Sequence, residues 1–329
     1  MIKILLATDS FNQVNGVSTT YKNILNVTKR SVKVIHPGMF KNKSFKLYPE
    51  VEICYQPIKV YFKIKKINPT HIHIATEGTI GLIARLYCKL NNIPYSSAYH
   101  TKFPEYLKLM IGLPTSISYS FLKKFHRSSK AVLVPSNSCK KELLKKGFDN
   151  LTLWTRGVSK DLIAPLPKQK KINESKKIRV LSVGRLSKEK NIEELCLLQD
   201  KFEITIVGDG PQYQFLKNKY KNISFLGYKF GKDLAKIYAS HDVFCFTSET
   251  DTFGIVIIEA LCNGLPVAAK NVTGPKDIIV HKQNGFLGSN LELSIIKCSN
   301  YDKTSIKKIA RKNWSWRNAE KMLFNSLLK

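Results

Sequence analysis

Two carboxylates, Asp251 and Glu259, lie eight positions apart in a segment that reads SETDTFGIVIIEALCNGLPVAA. Phe253 and Gly254 stand between them, followed by an apolar run. Carboxylates accept hydrogen bonds from hydroxyl groups, and a glycine lets a ligand approach the free N–H groups that open a helix. Those N–H groups favour an anion such as phosphate. The segment therefore predicts a site for hydroxyl and phosphate groups together.

Two cations are candidates to hold that phosphate. Arg185 and Lys190 lie in VGRLSKEKNIEEL, after an apolar run and before a predicted helix. A planar guanidinium and a compact ammonium suit a diphosphate. Taken alone, Asp251 could instead cap the helix and Glu259 could be a solvated helix acid, so both interpretations stay open here.

The elements that position these residues follow from periodicity and stop signals. We predict a strand over Asp242–Thr247 and a helix over Phe253–Cys262, with Thr252 or Asp251 as its N-cap. Asn263-Gly264-Leu265-Pro266 ends that helix, because glycine supplies a left-handed residue and proline blocks continuation.

Short apolar strands alternate with helices along the whole chain, which predicts parallel sheets covered on both faces. The predicted strands of the first half are Ile2–Ala7, Val32–His36, His71–Ala75, Tyr95–Tyr99 and Ala131–Pro135, and its helices are Val17–Lys29, Thr79–Leu90 and Ser138–Lys146. The further strands of the second half are Arg179–Val183, Glu203–Val207, Ile223–Leu226 and Pro266–Ala269, and its further helices are Asn191–Leu198, Gln212–Tyr220 and Lys232–Ala239.

The polar, lysine-rich stretch at 164–178 predicts a linker between two domains, at 1–165 and 172–313. The chain has 329 residues, of which 43% are hydrophobic, which suffices for two cores. The predicted fold class is therefore α/β, with two doubly wound, Rossmann-like domains facing a cleft. Ligands are expected at the carboxyl edges of the strands.

The net charge is +30, from 54 basic and 24 acidic residues. Residues 1–171 hold 29 basic and 8 acidic residues, and the remainder holds 25 and 16. Either a compositional bias towards lysine, or an anionic partner of the first half, explains this excess. Such a partner would be nucleic acid or a membrane surface.

Seven scattered cysteines without a CxxC pair predict reduced core thiols. The apolar start of the chain is too short for a signal peptide, and no run reaches the length of a spanning helix, so we expect a cytoplasmic protein.

The motifs VGRLSKEKNI, IVGDGP, FLGY and TDTFGIVIIEALCNGLPVAA, in this order, resemble the retaining glycosyltransferases of GT-B fold. The similarity is to the glycogen-synthase-like and sucrose-synthase-like family (glycosyl transferases group 1). NGV, HIATEGTIG and YHTKFPEY in the first half fit its bacterial glycolipid and mannosyl branches. The resemblance covers nearly the whole chain.

The resemblance implies a role for each candidate residue. Arg185 and Lys190 would stabilise the departing nucleoside diphosphate, Asp251 would contact the transferred sugar, and Glu259 would hold the ribose hydroxyls. The remaining implied positions are His100 at the sugar or reaction centre, Gly16 at the donor phosphate and sugar, and the amides of Phe253, Gly254 and Ile255 at the phosphates. The last helix, 314–329, would pack back on the first domain.

The implied reaction moves a hexosyl group from a nucleotide sugar, with a UDP-sugar favoured, to a membrane lipid such as diacylglycerol. No metal and no cofactor are expected, because no D-x-D motif occurs and cations with helix amides can neutralise the leaving group. Two departures from the family pattern are Asp251, where a longer acid is usual, and Ser159, where many relatives carry aspartate.

Lysines mix with aromatic residues at Lys59–Lys66 and Ser116–Lys130, a composition typical of an interfacial helix at an anionic membrane. In the second segment Ile117, Phe121 or Leu122, and Phe125 form the predicted apolar face. An ordinary core-facing helix with solvated lysines is the alternative. A peripheral location at the inner face of the cell membrane would follow from the first interpretation.

Other functions remain open on the sequence alone. A transferase that uses GDP-mannose or a UDP-sugar on a polysaccharide or soluble acceptor is the nearest, followed by a sugar-nucleotide epimerase and a nucleic-acid-binding protein. GDGPQY lacks the third glycine of a dinucleotide fingerprint, which argues against an NAD-dependent dehydrogenase. His71 and His73 alternate with isoleucines in a strand and are predicted to be structural.

Overall fold

The computed structural model describes residues 3–13, 15–45, 48–165 and 177–328, apart from the side chains of 45, 48–51 and 110. The chain forms two compact units. Unit 1 comprises Met1–Arg156 with Trp316–Lys329, and unit 2 comprises Gly157–Ser315.

Unit 1 contains a six-stranded, wholly parallel sheet and a separate antiparallel hairpin. Its strands are β1 (Ile4–Ala7), β2 (Val32–Ile35), β3 (Asn42–Phe45), β4 (Tyr48–Cys54), β5 (His71–Ile74), β6 (Tyr95–Ala98), β7 (Val132–Val134) and β8 (Leu151–Leu153). The sheet order is β2-β1-β5-β6-β7-β8, and β3 pairs with β4. Both Ile4–Ala7 and Tyr95–Ala98 are buried at every position, because helices cover the sheet.

Among the described residues of unit 1, seven helices accompany this sheet. They are α1 (Gly16–Val27), α2 (Pro57–Ile67), α3 (Thr79–Leu90), α4 (Phe103–Ile111), α5 (Thr115–His126), α6 (Asn137–Lys145) and α14 (Trp316–Leu328). The connection through α1 runs towards the edge strand β2, whereas the later connections run the other way. Right-handed crossovers therefore place α1 on one face and α2, α3, α5 and α6 on the other.

The last helix, α14, packs on α1 and against β5 and β6. The indole N–H of Trp154 donates to the carbonyl of Ala319 at 2.8 Å in a fully buried bond. The hydroxyl of Thr28 donates to the carboxylate of Glu320 at 2.7 Å. Buried apolar side chains of α14, among them Ala319 and Leu327, complete this side of unit 1.

Unit 2 repeats the architecture with a second six-stranded parallel sheet, in the order β11-β10-β9-β12-β13-β14. Its strands are β9 (Arg179–Val183), β10 (Glu203–Val207), β11 (Ser224–Phe225), β12 (Val243–Phe246), β13 (Val267–Ala269) and β14 (Gly285–Leu287). Its helices are α7 (Glu193–Cys196), α8 (Tyr213–Lys219), α9 (Gly231–Ser240), α10 (Ile255–Cys262), α11 (Pro275–Ile278), α12 (Leu291–Cys298) and α13 (Lys303–Asn313).

The fold class predicted from the sequence is confirmed: both units are parallel, Rossmann-like α/β sheets. All seven cysteines are buried and reduced, as predicted. Within the described ranges, no helix combines the length and the apolar character that crossing a membrane requires.

The division between the units differs from the predicted boundary at 165. It falls at Arg156–Gly157, since residues up to Ala164 are fastened to unit 2. The side chain of Asn263 donates to the carbonyl of Leu162 at 2.7 Å and accepts from the amide of Ala164 at 2.9 Å. Much of the predicted linker, 166–176, lies outside the described residues.

The helix predicted at Asn191–Leu198 is wrong in extent. A 3-10 turn spans Lys188–Lys190, and Asn191 follows with a left-handed φ of 50°. Because that conformation interrupts the helical path, the α-helix itself covers only Glu193–Cys196.

Candidate active site

The loops that follow β9 and β10 pack closely against each other at the carboxyl edge of the second sheet. The amide of Leu186 donates to the carbonyl of Asp209 at 2.9 Å. A Cβ at Gly208 would lie 1.9 Å from the carbonyl oxygen of Gly184, and one at Gly210 would lie 2.5 Å from that of Leu186. The glycines of VGR and GDG therefore allow two backbones to touch, which fixes the loop that carries Arg185.

Arg185 lies partly buried on this loop, near the phenol of Tyr228. Burial and the nearby carboxylate of Asp209 raise the pKa of Tyr228, while Arg185 opposes that shift. The guanidinium therefore lies near the loops that follow β9, β10 and β11.

Lys190 and Asp251 form a close ion pair at the same sheet edge. The ammonium lies 2.6 Å from Oδ1 and 2.7 Å from Oδ2 of the carboxylate. The hydroxyl of Thr247, at the end of β12, donates to the carbonyl of Lys190 at 2.6 Å. The hydroxyl of Ser248 donates to the carbonyl of Glu189 at 3.3 Å. The end of β12 thus holds the turn that presents Lys190 to Asp251.

The start of the helix between the two acids corrects the predicted cap. Neither Thr252 nor Asp251 is the N-cap: Gly254 takes that position with a φ of 87°, and α10 begins at Ile255. A Cβ at Gly254 would lie 2.9 Å from Cδ1 of Ile257, so this turn requires glycine. Asp251 is instead engaged by Lys190.

Phe253, the residue before this cap, points into the core of unit 2. Its ring meets that of Trp314 edge-on, with centroids 5.6 Å apart. Gly274, in the loop after β13, packs against the same backbone, since a Cβ there would lie 2.7 Å from the carbonyl oxygen of Asp251. The backbone that carries the amides of Phe253, Gly254 and Ile255 is therefore held from both sides.

Glu259, on α10, is buried, so the interpretation as a solvated helix acid is wrong. The hydroxyl of Tyr238 donates to its Oε2 at 2.9 Å. Burial raises the pKa of Glu259 to about 7, and the bond from Tyr238 limits the rise. A buried carboxyl favours ligands that donate hydrogen bonds, because such bonds stabilise its ionised form.

In unit 1, Gly16 begins α1 and His100 follows β6. Gly16 is the first residue of α1, and the side chain of Asn15 caps that helix by accepting from the amide of Ser18 at 2.9 Å. Nothing lies within 4 Å of a Cβ built on Gly16, so the fold itself does not require glycine there. His100 comes two residues after β6.

Sequence reasoning missed the polar cluster around His100. Its Nε2 lies 2.9 Å from the hydroxyl of Tyr21, and its Nδ1 lies 2.9 Å from Nη2 of Arg156. The same Tyr21 hydroxyl lies 2.7 Å from Nε2 of His73, which is buried. Trp154 packs against the rings of all three. A single arginine in TRGV provides no sequence signal for this role.

Within unit 2 the structure brings Lys190 and Asp251 into contact, places Arg185 on the adjoining loop, and holds Glu259 on the helix that begins after Asp251. Gly16 and His100 belong to unit 1. In the described part of the chain, no three His, Cys, Asp or Glu side chains are grouped as metal ligands would be. Hydroxyl and phosphate binding is the chemistry that this set of residues supports.

Two family models match the chain. The model for glycosyl transferases group 1 matches residues 165–291, and that for Glycosyltransferase Family 4 matches residues 19–162. Together they cover most of both units.

Named relatives agree with these matches. The chain is 31% identical over 245 residues to sulfoquinovosyl transferase SQD2 of Arabidopsis thaliana, covering 70% of the chain and 48% of that enzyme. It thus spans about half the length of this relative. It is 27% identical to a GDP-mannose-dependent alpha-mannosyltransferase of Mycobacterium tuberculosis, covering 87% of the chain and 83% of the relative. It is 23% identical to alpha-monoglucosyldiacylglycerol synthase of Streptococcus pneumoniae, covering 87% and 75%.

The fold is shared with Anabaena HepE, solved in complex with UDP and glucose. The two chains superpose with a TM-score of 0.77 over 99% of each, at 17% identity. With the family matches, this similarity supports one conclusion: the chain belongs to the glycosyl transferases group 1, a glycosyltransferase family of GT-B fold.

Proposed function

We propose that this protein is a retaining, metal-independent glycosyltransferase that moves a hexosyl group from a nucleotide sugar, UDP-linked by preference, to a hydroxyl of a membrane lipid such as diacylglycerol. The observation that carries the proposal is the contact of Lys190 with Asp251 at 2.6 Å. A cation for the diphosphate and an acid for the sugar hydroxyls must lie side by side at a sugar–phosphate junction, and these two do.

The proposed chemistry concentrates on the leaving group. As the bond from the anomeric carbon to the diphosphate breaks, negative charge grows on the phosphate oxygens. Arg185, Lys190 and the amides of Phe253, Gly254 and Ile255 stabilise that charge more than they stabilise the bound donor. A phosphate oxygen on the same face takes the proton of the acceptor hydroxyl, so the acceptor attacks from that face and the configuration is retained.

Asp251 and Glu259 bind hydroxyl groups in this proposal. Donor binding separates Asp251 from Lys190. The sugar hydroxyls then donate hydrogen bonds to Asp251, and the ammonium of Lys190 binds the diphosphate. Glu259 accepts hydrogen bonds from the ribose, which favours its ionised form and lowers its pKa from about 7. Donor binding is therefore coupled to release of a proton near neutral pH.

The nucleotide base has an aromatic surface available. Tyr228 and Phe230 are both exposed and stack with centroids 5.9 Å apart, directly after Gly227. We propose that the base lies beside this pair, and we propose separately that Gly16 and His100 in unit 1 have roles towards the phosphate and the sugar of the donor.

Three neighbouring helices of unit 1 support a membrane acceptor. Each exposes apolar side chains four residues apart: Ile58 and Phe62 on α2, Leu82, Leu86 and Leu90 on α3, and Ile117 and Phe121 on α5. We call these seven residues the apolar rows. The predicted interfacial face of α5 is partly wrong, because Leu122 and Phe125 are buried in the core.

The three helices form one layer. α2 packs against α3. Nε of Arg85 on α3 donates to the carbonyl of Phe125 on α5 at 2.7 Å. Exposed lysines flank the apolar rows, including Lys59 and Lys63 on α2 and Lys124 on α5. A layer that is both apolar and cationic fits the boundary of an anionic leaflet.

A GDP-mannose-dependent transferase is the second candidate, favoured by the mycobacterial relative, which matches 87% of the chain. The loop at Gly227–Lys232 contains no side chain that separates uracil from guanine by charge. The experiment below therefore compares UDP-sugars with GDP-sugars as donors and tests the lipid acceptor at the same time.

The experiment incubates the purified full-length chain with UDP- and GDP-sugars and with vesicles of diacylglycerol and anionic phospholipid. The lipid product is identified by mass spectrometry and its anomeric configuration by NMR. We expect an α-hexosyl lipid from an α-linked donor, made without added metal and in the presence of EDTA. Joint replacement Arg185→Met and Lys190→Met should abolish it.

Unchanged turnover in that double variant contradicts the proposed site. Products formed only on soluble acceptors exclude the lipid assignment, and donor conversion without any acceptor identifies an epimerase. Salt-sensitive binding to DNA, without binding of a nucleotide sugar, would instead support a nucleic-acid-binding protein.

A further inference from the structure

Arg156 is a buried cation without a carboxylate partner among the described residues. Its side chain is 5% exposed. Nη1 donates to the carbonyls of Trp154 at 2.9 Å and Thr155 at 3.1 Å, and the guanidinium lies 4.2 Å from the centroid of the Trp154 ring. Burial lowers its pKa to about 10, which still leaves it protonated at neutral pH. Burying a charge without a counter-ion is costly, so this position needs a reason beyond packing.

The hydrogen bonds around His100 have only one consistent direction. A guanidinium can only donate, so Nη2 of Arg156 donates to Nδ1 of His100, which carries no proton. Nε2 then bears the proton of the neutral ring and donates to the oxygen of Tyr21. The Tyr21 hydroxyl in turn donates to Nε2 of His73, whose Nδ1–H donates to the hydroxyl of Ser96 at 2.8 Å.

The relay of hydrogen bonds from His100 to Ser96 stays neutral, and the charged groups that act on it are Arg156, after β8, and Glu77, after β5. Burial, followed by the charge of Arg156, lowers the pKa of His73 to about 3 and holds the pKa of His100 well below its ordinary value. Burial raises the pKa of Tyr21, against the opposing effect of Arg156, and Glu77 adds to that rise. Trp154 covers the rings without a charge of its own.

We propose that Arg156 is a positioning residue that holds His100 in the neutral form protonated at Nε2, so that His100 acts as an oriented neutral group rather than as an acid or base. The inference rests on the proposed function only in placing His100 at the reaction centre. It explains why a buried guanidinium is kept beside an imidazole. Because His100 is then not the base, the leaving diphosphate accepts the proton of the acceptor hydroxyl.

The test uses full-length protein labelled with ¹⁵N in its histidines. In the unmodified protein, the ring nitrogens of His100 should show Nδ1 unprotonated and Nε2 protonated throughout pH 5.5–8.5. Arg156→Met should release the ring, giving a mixture of the two neutral tautomers, while burial still opposes protonation of the ring. Arg156→Lys, which keeps a charged donor, should restore most of the original spectrum.

Turnover provides the second measurement. Because the ring is no longer oriented, Arg156→Met should lower kcat by about 10- to 100-fold and leave KM for the donor within about twofold. The resonances of His241 in unit 2 and the unfolding temperature of each variant check that the fold is intact. If Arg156→Met does not fold, Tyr21→Phe removes the other partner of the ring and should free Nε2 while Nδ1 stays unprotonated.

A protonated Nδ1 in the unmodified protein, or an unchanged spectrum in Arg156→Met, overturns the inference. A released ring with unchanged kcat overturns the positioning role. His100→Ala then separates the two claims. Loss of turnover in that variant leaves the proposed function standing without a role for Arg156, whereas full turnover removes His100 from the site itself.

Discussion

Tyr238 on α9 donates a hydrogen bond of 2.9 Å to Glu259 on α10, and both residues are buried. This contact ties the acid to the core of unit 2 and keeps it away from bulk water. The protein therefore maintains a carboxyl group in a state that costs stability, as sites prepared for a ligand often do.

Replacing Glu259 by Gln should stabilise the protein above neutral pH. The folded-state pKa of about 7 exceeds the ordinary value of 4.5, so folding is favoured when the carboxyl is protonated. That stabilisation is complete below about pH 4 and is lost as the pH rises through 7. By pH 8 Glu259→Gln should gain up to ~3 kcal/mol in unfolding free energy relative to the unmodified chain. Denaturant unfolding at pH 5 and pH 8 measures it.

Glu193→Gln is the control for this measurement. Glu193 is a half-buried acid whose pKa is lowered by hydrogen bonds from Lys219 and Tyr220. Its replacement should provide no gain in stability at pH 8. Equal effects of the two variants would contradict the account of Glu259, whose replacement should also abolish donor binding.

Gly254→Ala should destabilise unit 2 more than a matched change elsewhere. Gly254 has a φ of 87°, and an added Cβ would lie 2.9 Å from the buried Ile257 and 3.2 Å from Phe246. Gly112 has a φ of 70° and nothing within 4 Å of its Cβ position. We expect about 1 kcal/mol for Gly112→Ala, from backbone strain alone, and ~2–4 kcal/mol for Gly254→Ala. Equal losses in thermal or denaturant unfolding would show that the contact with Ile257 costs nothing.

A leucine at Gly16 should weaken donor binding without reducing stability. The space around the Cβ position of Gly16 is open, so the side chain can be accommodated in the folded chain. It would cover the N–H groups that open α1, and the donor KM should rise about 10-fold or more. Asn26→Leu, on the exposed surface at the other end of α1, is the control and should leave both KM and the unfolding temperature unchanged.

Phe62→Ser combined with Phe121→Ser should weaken binding to anionic vesicles. Phe62 and Phe121 are 59% and 49% exposed. Each substitution therefore removes exposed apolar area from the apolar rows, on α2 and α5 respectively. We expect at least about a 10-fold loss in partitioning, and weaker binding of all forms at high salt. Sedimentation with vesicles measures both.

Leu197→Ser with Leu293→Ser provides the matched control in unit 2, where the side chains are 67% and 47% exposed. This pair should leave partitioning unchanged. A similar loss from both pairs would show that general surface hydrophobicity, and not the apolar rows, drives binding.

The strands of both sheets could be predicted because they are buried on both faces and read as continuous apolar runs. Arg179–Val183 and Glu203–Val207 match the predicted bounds in full. The hairpin of β3 and β4 was missed, since NKSF and YPEVEIC lack an apolar run. The three-residue strands Leu151–Leu153 and Gly285–Leu287 are too short to show a period.

The candidate site could be predicted in composition but not in contacts. Lys190 and Asp251 are 61 positions apart in the sequence, and no local sequence pattern predicts that they contact each other. The relay around His100 joins residues from α1, β5 and the end of β8, so only the folded sheet brings them together. Burial of Glu259 likewise depends on α9, which the apolar run around the acid does not specify.

The position of α14 has a consequence for synthesis of the chain. The indole of Trp154 is satisfied only by the carbonyl of Ala319, and Thr28 finds its acceptor in Glu320. During translation this side of the first sheet therefore stays incompletely covered until α14 has been synthesised. Unit 1 contains segments on both sides of unit 2, so its partly folded sheet needs protection by chaperones while unit 2 is being synthesised.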